Sequence, residues 1–170
     1  MDLDLRYPAI SNLRRRARRR IPHFAFEYLD SATGSEAGAR RARLALDRVG
    51  FMPAVMKGPI RPDLRAEFLG RAYALPVVMA PIGMAGAIWP GAEAMCARAA
   101  RRLGIPFCQS TVAAATPEDT GPLVGDYGWF QHYPVRDDAI RQDMVRRIRD
   151  AGFHTLVVTV DVPAESRRER

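Results

Sequence analysis

Polar residues stand at the ends of four short apolar segments in the second half of the sequence. Pro81–Gly83 follows the first segment and Ser110 closes the second, while Gln131 and Tyr133 end the third and Thr159 ends the fourth. Gln131 and Tyr133 are two residues apart, so on a strand their side chains share one face. Together these residues offer hydrogen-bonding groups for a flat polar ligand, and they include no obvious nucleophile.

The segments that carry these residues read as strands, and helical patterns alternate with them. The apolar runs predict strands at 77–80, 105–109, 128–133 and 155–160. Amphipathic or capped stretches predict helices at 91–103, 117–123 and 137–151. This βα alternation is typical of a parallel sheet, whose strands end on one common rim. In barrels that carboxyl-terminal rim carries the active site.

Two architectures are compatible with such a sheet, a doubly wound sheet and a (β/α)8 barrel. No Gly-x-Gly-x-x-Gly follows the first predicted strand, which disfavours a dinucleotide-binding sheet. A complete barrel needs about 200 residues or more. We therefore predict an α/β chain that holds only the first four βα units of a TIM barrel.

The residues before the first predicted strand are mostly helical and polar. Spacing and caps predict helices from Ser11 to Arg20, around Phe24–Leu29, and from Ser35 to near Arg48. A Pro- and Gly-rich connector with a short strand pair follows over 51–70. We expect two parts, an N-terminal helical segment and connector over 1–74 and the half barrel over 75–170.

Each candidate residue also has a purely structural interpretation. Ser110 and Thr159 could satisfy main-chain groups at strand ends, and Tyr133 could serve packing as well as function. Arg168 would ordinarily be a surface arginine. Gln131 is harder to explain in this way, because a buried amide needs hydrogen-bond partners. Four successive strands that end in polar groups favour a shared site.

Net charge and cysteine content bear on whether the chain binds nucleic acid, lipid or metal. The net charge is +7, Lys57 is the single lysine, and six arginines lie within residues 14–20. A solvated helix face explains this run, with acidic lipid or nucleic acid as the alternatives. Cys96 and Cys108 lack metal-ligand spacing. We expect no bound metal and a cytoplasmic protein without signal peptide or membrane span, with peripheral membrane contact left open.

Several motifs, in this order and spacing, resemble the FMN-dependent 2-hydroxy-acid dehydrogenases and oxidases, a family that includes glycolate oxidase, lactate oxidase and mandelate dehydrogenase. The resemblance runs from about Leu13 to the last residue. The mandelate dehydrogenase branch is the most similar. The motifs are Ala80–Met84, Trp89-Pro90, Gly104–Phe107, Ser110-Thr111, Trp129–Tyr133, Thr159–Asp161 and Arg167–Arg170.

The resemblance implies FMN as the cofactor and assigns roles to individual residues. The main chain of Pro81, Ile82 and Gly83 would lie against the flavin ring, and Ser110, Gln131 and Thr159 would hydrogen-bond its polar edge. Tyr28 and Arg168 would hold the substrate carboxylate, a task that suits the guanidinium fork. Tyr133 would act catalytically, hydrogen-bonded to the substrate oxygen near the reacting carbon. Asp161 matches a structural aspartate.

The sequence departs from the family pattern at several of these positions. Ile82 stands where a threonine is usual, which removes one hydroxyl but keeps the main-chain contacts. His132 replaces a leucine and should point toward the outer helices, away from the site. Ser31–Gly34 differs from the usual small-Gly-Ala turn, and Ser166 replaces a glycine. These two changes put the placement of Tyr28 and Arg168 in question.

The groups that complete the family's chemistry are missing from this sequence. Oxidation of a 2-hydroxy acid needs a base and a cation beside the reduced flavin. In the family these are a histidine and a lysine from the second half of the barrel. His23, His132, His154 and Lys57 fit neither role. We therefore expect an N-terminal fragment that is inactive alone, acts on a small 2-hydroxy acid once complete, and forms homo-oligomers at full length.

Two other interpretations stay open. The chain could be a non-catalytic truncated remnant that binds flavin weakly or needs a partner polypeptide. It could also bind nucleic acid through the arginine-rich helix, although it lacks a recognition motif. The motifs leave open which hydroxy acid is oxidised, and whether oxygen, a quinone or a cytochrome accepts the electrons.

Overall fold

The computed structural model describes residues 3–59, 61–160 and 166–169. The chain divides into two compact units, a first unit of Met1–Ile60 with Pro163–Arg170 and a second unit of Arg61–Val162. The expected domain boundary after residue 74 stays a prediction.

The first unit is helical where the sequence predicts helices. Its helices are α1 (Leu3–Arg6), α2 (Ile10–Arg20), α3 (His23–Asp30) and α4 (Ala37–Asp47). Helix α2 ends where Ile21 becomes extended, and Pro22 stands directly before α3, as suits a residue without an N–H. Helix α4 begins after Glu36, whose left-handed conformation (φ 63°) shifts the start past the expected cap at Ser35.

A bidentate ion pair and two buried side chains hold α3 in this unit. Arg14 Nε and Nη2 donate to the Asp30 carboxylate at 2.5 and 2.7 Å. Ala25 and Phe26 are the buried residues of α3. Burying a side chain the size of Phe26 stabilises the fold by about 1.5–3 kcal/mol.

The second unit alternates strands and helices. A hairpin of β1 (Ala66–Phe68) and β2 (Arg71–Tyr73) comes first. Its two turn residues, Leu69 and Gly70, both have positive φ, the requirement of a tight hairpin turn. Then follow α5 (Ala85–Ile88), α6 (Ala92–Leu103), β3 (Phe107–Ser110), α7 (Pro117–Val124), a single 3-10 turn (Gly125–Tyr127), β4 (Gly128–His132), α8 (Asp138–Asp150) and β5 (Thr155–Val158).

Strands β3, β4 and β5 form a parallel sheet in chain order, which confirms the predicted α/β class. The register pairs Ser110 with Gln131 and Gln131 with Val157. The first predicted strand, 77–80, is reduced to a parallel bridge between Met79 and Phe107. Over the described residues the strands do not close into a barrel.

The core lies between this sheet and its helices. Phe107 and Phe130 face that side, and the ring of Phe130 meets Phe153 edge-on at 5.6 Å. The remaining core members come from α6, α7, the end of α8 and the loop before β3: Ala97, Ala100, Ile105, Val124 and Ile148. Since strand side chains alternate, Cys108, Ser110, Trp129 and Gln131 lie on the opposite, inner face.

The hairpin covers the amino-terminal end of this inner face. Tyr73 is buried, and its hydroxyl oxygen accepts a hydrogen bond of 3.1 Å from the indole N–H of Trp129. The rings of Phe68 and Tyr127 pack around Tyr73 at 5.9 and 6.1 Å. Aromatic packing therefore fills the start of the strands and leaves the inner face at the carboxyl ends to polar groups.

Gly121 on α7 allows the close approach of α8 and gives a test of the packing. A Cβ at residue 121 would lie 2.0 Å from the main-chain oxygen of Ala151. We expect Gly121→Ala to lower the free energy of unfolding by about 1–3 kcal/mol or more, as overpacking does. The midpoint of urea unfolding, followed by tryptophan fluorescence, measures this loss.

Gly38→Ala is the matched control, because a Cβ at residue 38 meets no atom within 4 Å. Alanine is also the better helix former, so this variant should be neutral or slightly stabilised. Equal midpoints for Gly121→Ala and the unmodified protein would contradict the packing of α7 against α8.

Candidate active site

A chain of hydrogen bonds joins three polar side chains at the carboxyl ends of the three strands. The Ser110 hydroxyl donates to Gln131 Oε1 at 3.1 Å, and Gln131 Nε2 donates to the Thr159 hydroxyl oxygen at 2.9 Å. Ser110 and Gln131 are buried, and Thr159 is half-buried. The parallel register, which pairs Ser110 with Gln131, brings these predicted residues together.

Thr111 fixes the same amide from the loop after β3. Its main-chain N–H donates to Gln131 Oε1 at 3.3 Å, and its hydroxyl donates to the main-chain oxygen of Gln131 at 2.5 Å. The hydroxyl oxygen also accepts the N–H of Tyr133 at 3.1 Å. Sequence reasoning assigned Thr111 no role of its own, although its place beside Ser110 was the available signal.

The arrangement leaves specific groups for a ligand. A carboxamide carries two N–H groups, and Gln131 uses one of them toward Thr159. Thr159 accepts that bond, so its hydroxyl hydrogen can be donated elsewhere. The network can therefore present two donors, one from Gln131 and one from Thr159, to the edge of a polar heterocycle.

The segment Pro81–Gly83 lies at the same rim as Ser110. Ile82 and Ser110 both line a cavity of about 20 Å³, together with Cys108. Met84 adopts a left-handed conformation with φ 53°, and its N–H donates to the Val112 oxygen at 2.8 Å. The segment is therefore held beside the loop that follows β3.

His132 is the last residue of β4 and lies on the helix side of the sheet, as alternation predicts. Tyr133 follows β4, and its side chain is about two-fifths exposed. His132 is buried and lines a groove with Arg141 and Val145 of α8. Within the described residues neither of its ring nitrogens has a hydrogen-bond partner. Burial, and then the charge of Arg141, lower the pKa of His132.

In the first unit Arg168 meets Tyr28. The guanidinium lies over the Tyr28 ring at 5.1 Å, and Nη1 donates to the main-chain oxygen of Tyr28 and, at 3.3 Å, to the Ser31 hydroxyl. The Gly34 N–H fixes this segment by donating to the Arg167 oxygen at 2.8 Å. The structure thus brings the two predicted carboxylate-binding residues together, whereas Asp161 lies outside the described residues.

Both hydrogen bonds of Arg168 use Nη1. Among the residues that the structure describes, the edge formed by Nε and Nη2 has no partner. That edge carries two parallel N–H groups, the geometry that matches a carboxylate. A cation near the carboxyl end of α3 is also favoured by the helix dipole.

The other two histidines have separate positions, His154 directly before β5 and His23 in the first unit. Nδ1 of His154 meets the Thr155 hydroxyl at 2.8 Å and Nε2 meets the Asp126 oxygen at 3.0 Å, at the start of β5. Burial lowers the pKa of His154. His23 lies at the start of α3, 3.7 Å from Glu27.

The described parts of the chain hold no group of three His, Cys, Asp or Glu placed for a metal, and no helix long and apolar enough to cross a membrane.

Comparison with known proteins gives a consistent result. The family model described as "FMN-dependent dehydrogenase" matches residues 17–170. A 4-hydroxymandelate oxidase of Amycolatopsis orientalis is 36% identical over 164 residues, covering 96% of this chain and 46% of that protein. An L-lactate dehydrogenase of Pectobacterium atrosepticum is 35% identical over 162 residues, covering 95% and 42%.

Solved structures agree with the sequence relatives. A crystal structure of mandelate oxidase superposes with a TM-score of 0.87 at 35% identity, covering 95% of this chain and 47% of its own. A soluble mutant of the membrane-associated (S)-mandelate dehydrogenase of Pseudomonas putida also reaches 0.87, at 33% identity and 94% and 46% coverage. The chain spans about half the length of the curated relatives it matches.

Cys108 lies on the inner face beneath Ser110, and its burial predicts how the reactivity of its thiol depends on pH. Burial raises the pKa of its thiol to about 11. Since the thiolate is the nucleophile, a raised pKa means slow reaction at neutral pH and a rate that increases as pH rises toward that value. We expect this profile in a Cys96→Ser variant titrated with a chromogenic disulfide reagent.

Unfolding the same variant in urea is the control, because an exposed thiol returns to an ordinary pKa of about 8.5. The reaction at neutral pH should then become fast. Fast reaction of the folded variant at neutral pH would show that Cys108 is not buried.

Proposed function

The chain belongs to the FMN-dependent dehydrogenase family, and on this premise we propose that it serves the FMN-dependent oxidation of a 2-hydroxy acid to a 2-oxo acid. The observation that carries the proposal is the hydrogen-bonded chain of Ser110, Gln131 and Thr159 along one rim of a parallel sheet. The names of its relatives, mandelate and lactate enzymes among them, support the substrate class.

The residues at this rim fit FMN. Its isoalloxazine ring is flat and has a polar edge, which Ser110, Gln131 and Thr159 would hydrogen-bond. The main chain of Pro81–Gly83 would lie against the ring, a contact that Ile82 in place of threonine does not disturb. When bound, FMN supplies the acceptor for the hydride equivalent from the substrate. The side chains named here bind and orient, while the cofactor carries the redox chemistry.

We propose two substrate roles, each within its own unit. In the first unit, Arg168 would bind the carboxylate through its Nε–Nη2 edge, with the ring of Tyr28 fixing the guanidinium plane. In the second unit, Tyr133 would hydrogen-bond the substrate hydroxyl. A bidentate arginine suits a carboxylate better than a lysine would, because its planar fork matches both oxygens.

The second unit is proposed to be the first part of a (β/α)8 barrel. Strand β5 stands at the edge of the three-stranded sheet, and its Leu156 and Val158 are exposed beside a groove of about 550 Å³ shared with α8. An uncovered apolar strand edge invites pairing with another strand. A further βα unit would cover it, and the rest of the barrel would supply the base and the cation.

A second candidate function rests on the same exposed edge. The chain could be a non-catalytic remnant that binds flavin weakly, or that needs a partner polypeptide to cover β5. Mixing it with a polypeptide that carries the later βα units of a relative separates the two candidates. Bleaching of FMN on addition of a 2-hydroxy acid supports the enzyme, whereas a folded mixture that binds flavin without bleaching supports the remnant.

Cellular location, binding partners and oligomeric state are also proposed. We propose a cytoplasmic protein, which the free thiols of Cys96 and Cys108 support, with no nucleic-acid partner. Peripheral membrane contact stays open, since one structural relative is described as membrane-associated. A homo-oligomer is proposed for the whole enzyme.

FMN binding tests the rim directly. We expect the chain to quench FMN fluorescence on titration, and Gln131→Leu to raise the dissociation constant about tenfold or more, since it removes hydrogen bonds worth roughly 0.5–1.5 kcal/mol each. Gln142→Leu is the matched control, because Gln142 is exposed on α8. Equal affinities for the two variants would contradict a flavin site at this rim.

The carboxylate role of Arg168 is tested in the completed enzyme. Arg168→Met should raise the KM for a 2-hydroxy acid roughly 30- to 150-fold, which corresponds to the loss of a charge-assisted hydrogen-bonded pair of about 2–3 kcal/mol. Arg167→Met changes the neighbouring exposed arginine and should leave KM nearly unchanged. An unaltered KM in Arg168→Met would remove Arg168 from the substrate site.

A further inference from the structure

Glu93 is a buried acidic residue that none of the roles above uses. It lies in the first turn of α6, and only 4% of its surface is exposed. One carboxylate oxygen, Oε1, accepts the main-chain N–H of Gly86 at 2.8 Å and that of Ala114 at 2.9 Å. The Gly86 amide is in α5, in the segment that follows residue 80, and the Ala114 amide is in the loop after β3, so a single atom joins these two segments.

The two segments meet closely at this point. A Cβ on Gly86 would lie 2.7 Å from Glu93 Oε2 and 2.7 Å from the Ala114 Cβ. The Met84 N–H, which donates to the Val112 oxygen, links the same two segments two residues away on each side. Residue 86 therefore needs to be glycine for the carboxylate to reach both amides.

We propose that Glu93 is a positioning residue for the flavin site: it fixes the distance between the loop that carries Pro81–Gly83 and the loop that follows Ser110. The inference rests on the proposed function. Pro81–Gly83 would support the flavin ring and Ser110 would hydrogen-bond its edge, so the ring is gripped from two loops at once. Hydrogen bonds to a carboxylate are about twice as strong as neutral ones, which makes Glu93 an effective link.

A purely structural role is the alternative, since an acidic residue in a first helical turn also interacts favourably with the helix dipole. That role would change the stability of α6 but not the two amides or the flavin. The distinguishing measurements are therefore the hydrogen exchange of the Gly86 and Ala114 amides, the dissociation constant for FMN, and the visible spectrum of bound FMN.

The experiment compares Glu93→Ala, Glu93→Gln and the control Glu118→Ala, which removes a surface ion pair with Arg147. In Glu93→Ala we expect exchange at both amides and the FMN dissociation constant to rise about tenfold or more, with a shifted flavin band. Glu93→Gln keeps a carbonyl oxygen of the same reach and should restore most of both properties. Glu118→Ala should change neither.

Each outcome decides the proposal. Unaltered exchange at Gly86 and Ala114 in Glu93→Ala overturns the link itself. Faster exchange with an unchanged FMN dissociation constant overturns the positioning role while the proposed function stands. If the unmodified chain binds no FMN, the proposed function fails and the exchange data still decide the link. Should Glu93→Ala not fold, Glu93→Asp, whose shorter side chain cannot reach both amides, gives the same comparison.

Discussion

The carboxamide of Gln131 is the contact on which the polar rim depends. It takes a hydrogen bond from Ser110 and gives one to Thr159, so one buried group joins three parallel strands at their carboxyl ends. A buried amide without partners would cost about 1–3 kcal/mol. The hydrogen bonds of Gln131 therefore depend on the strand register and also stabilise it. A slip of one residue would turn Gln131 to the helix side and leave its partners unsatisfied.

The other face of the same strands holds that register. Phe107 stands three positions before Ser110 and Phe130 one position before Gln131, and both pack into the helices, so the apolar core and the polar rim are set by a single alternation. At the amino-terminal end, Trp129 and Tyr73 close the inner face with aromatic packing. On the described strands, a ligand at the carboxyl ends of the inner face would meet the hydrogen-bonded chain of Ser110, Gln131 and Thr159.

The sequence pattern alone predicted the elements in which apolar side chains alternate or recur on one face. In β4 and α8 the predicted limits agree with the structure to within a residue or so. It was insufficient for the first predicted strand. Pro76 and Pro81 flank that segment and lack an N–H for a ladder, and only Met79 forms a bridge. Glu93 was missed for a related reason, because an acid in a first turn is ordinary and its two amide partners lie in the four-residue helix α5 and in the loop after β3, which no periodicity describes.

The contact between Arg168 and Tyr28 is a tertiary feature that no local sequence pattern predicts. They are 140 residues apart, and the resemblance to a family, rather than spacing, paired them. Their contact has a physical logic of its own. An arginine loses side-chain entropy when it binds a carboxylate, and stacking on Tyr28 with two hydrogen bonds through Nη1 fixes the guanidinium beforehand. The Nε–Nη2 edge is then presented in one orientation, so the carboxylate of the proposed substrate would bind without ordering a flexible side chain.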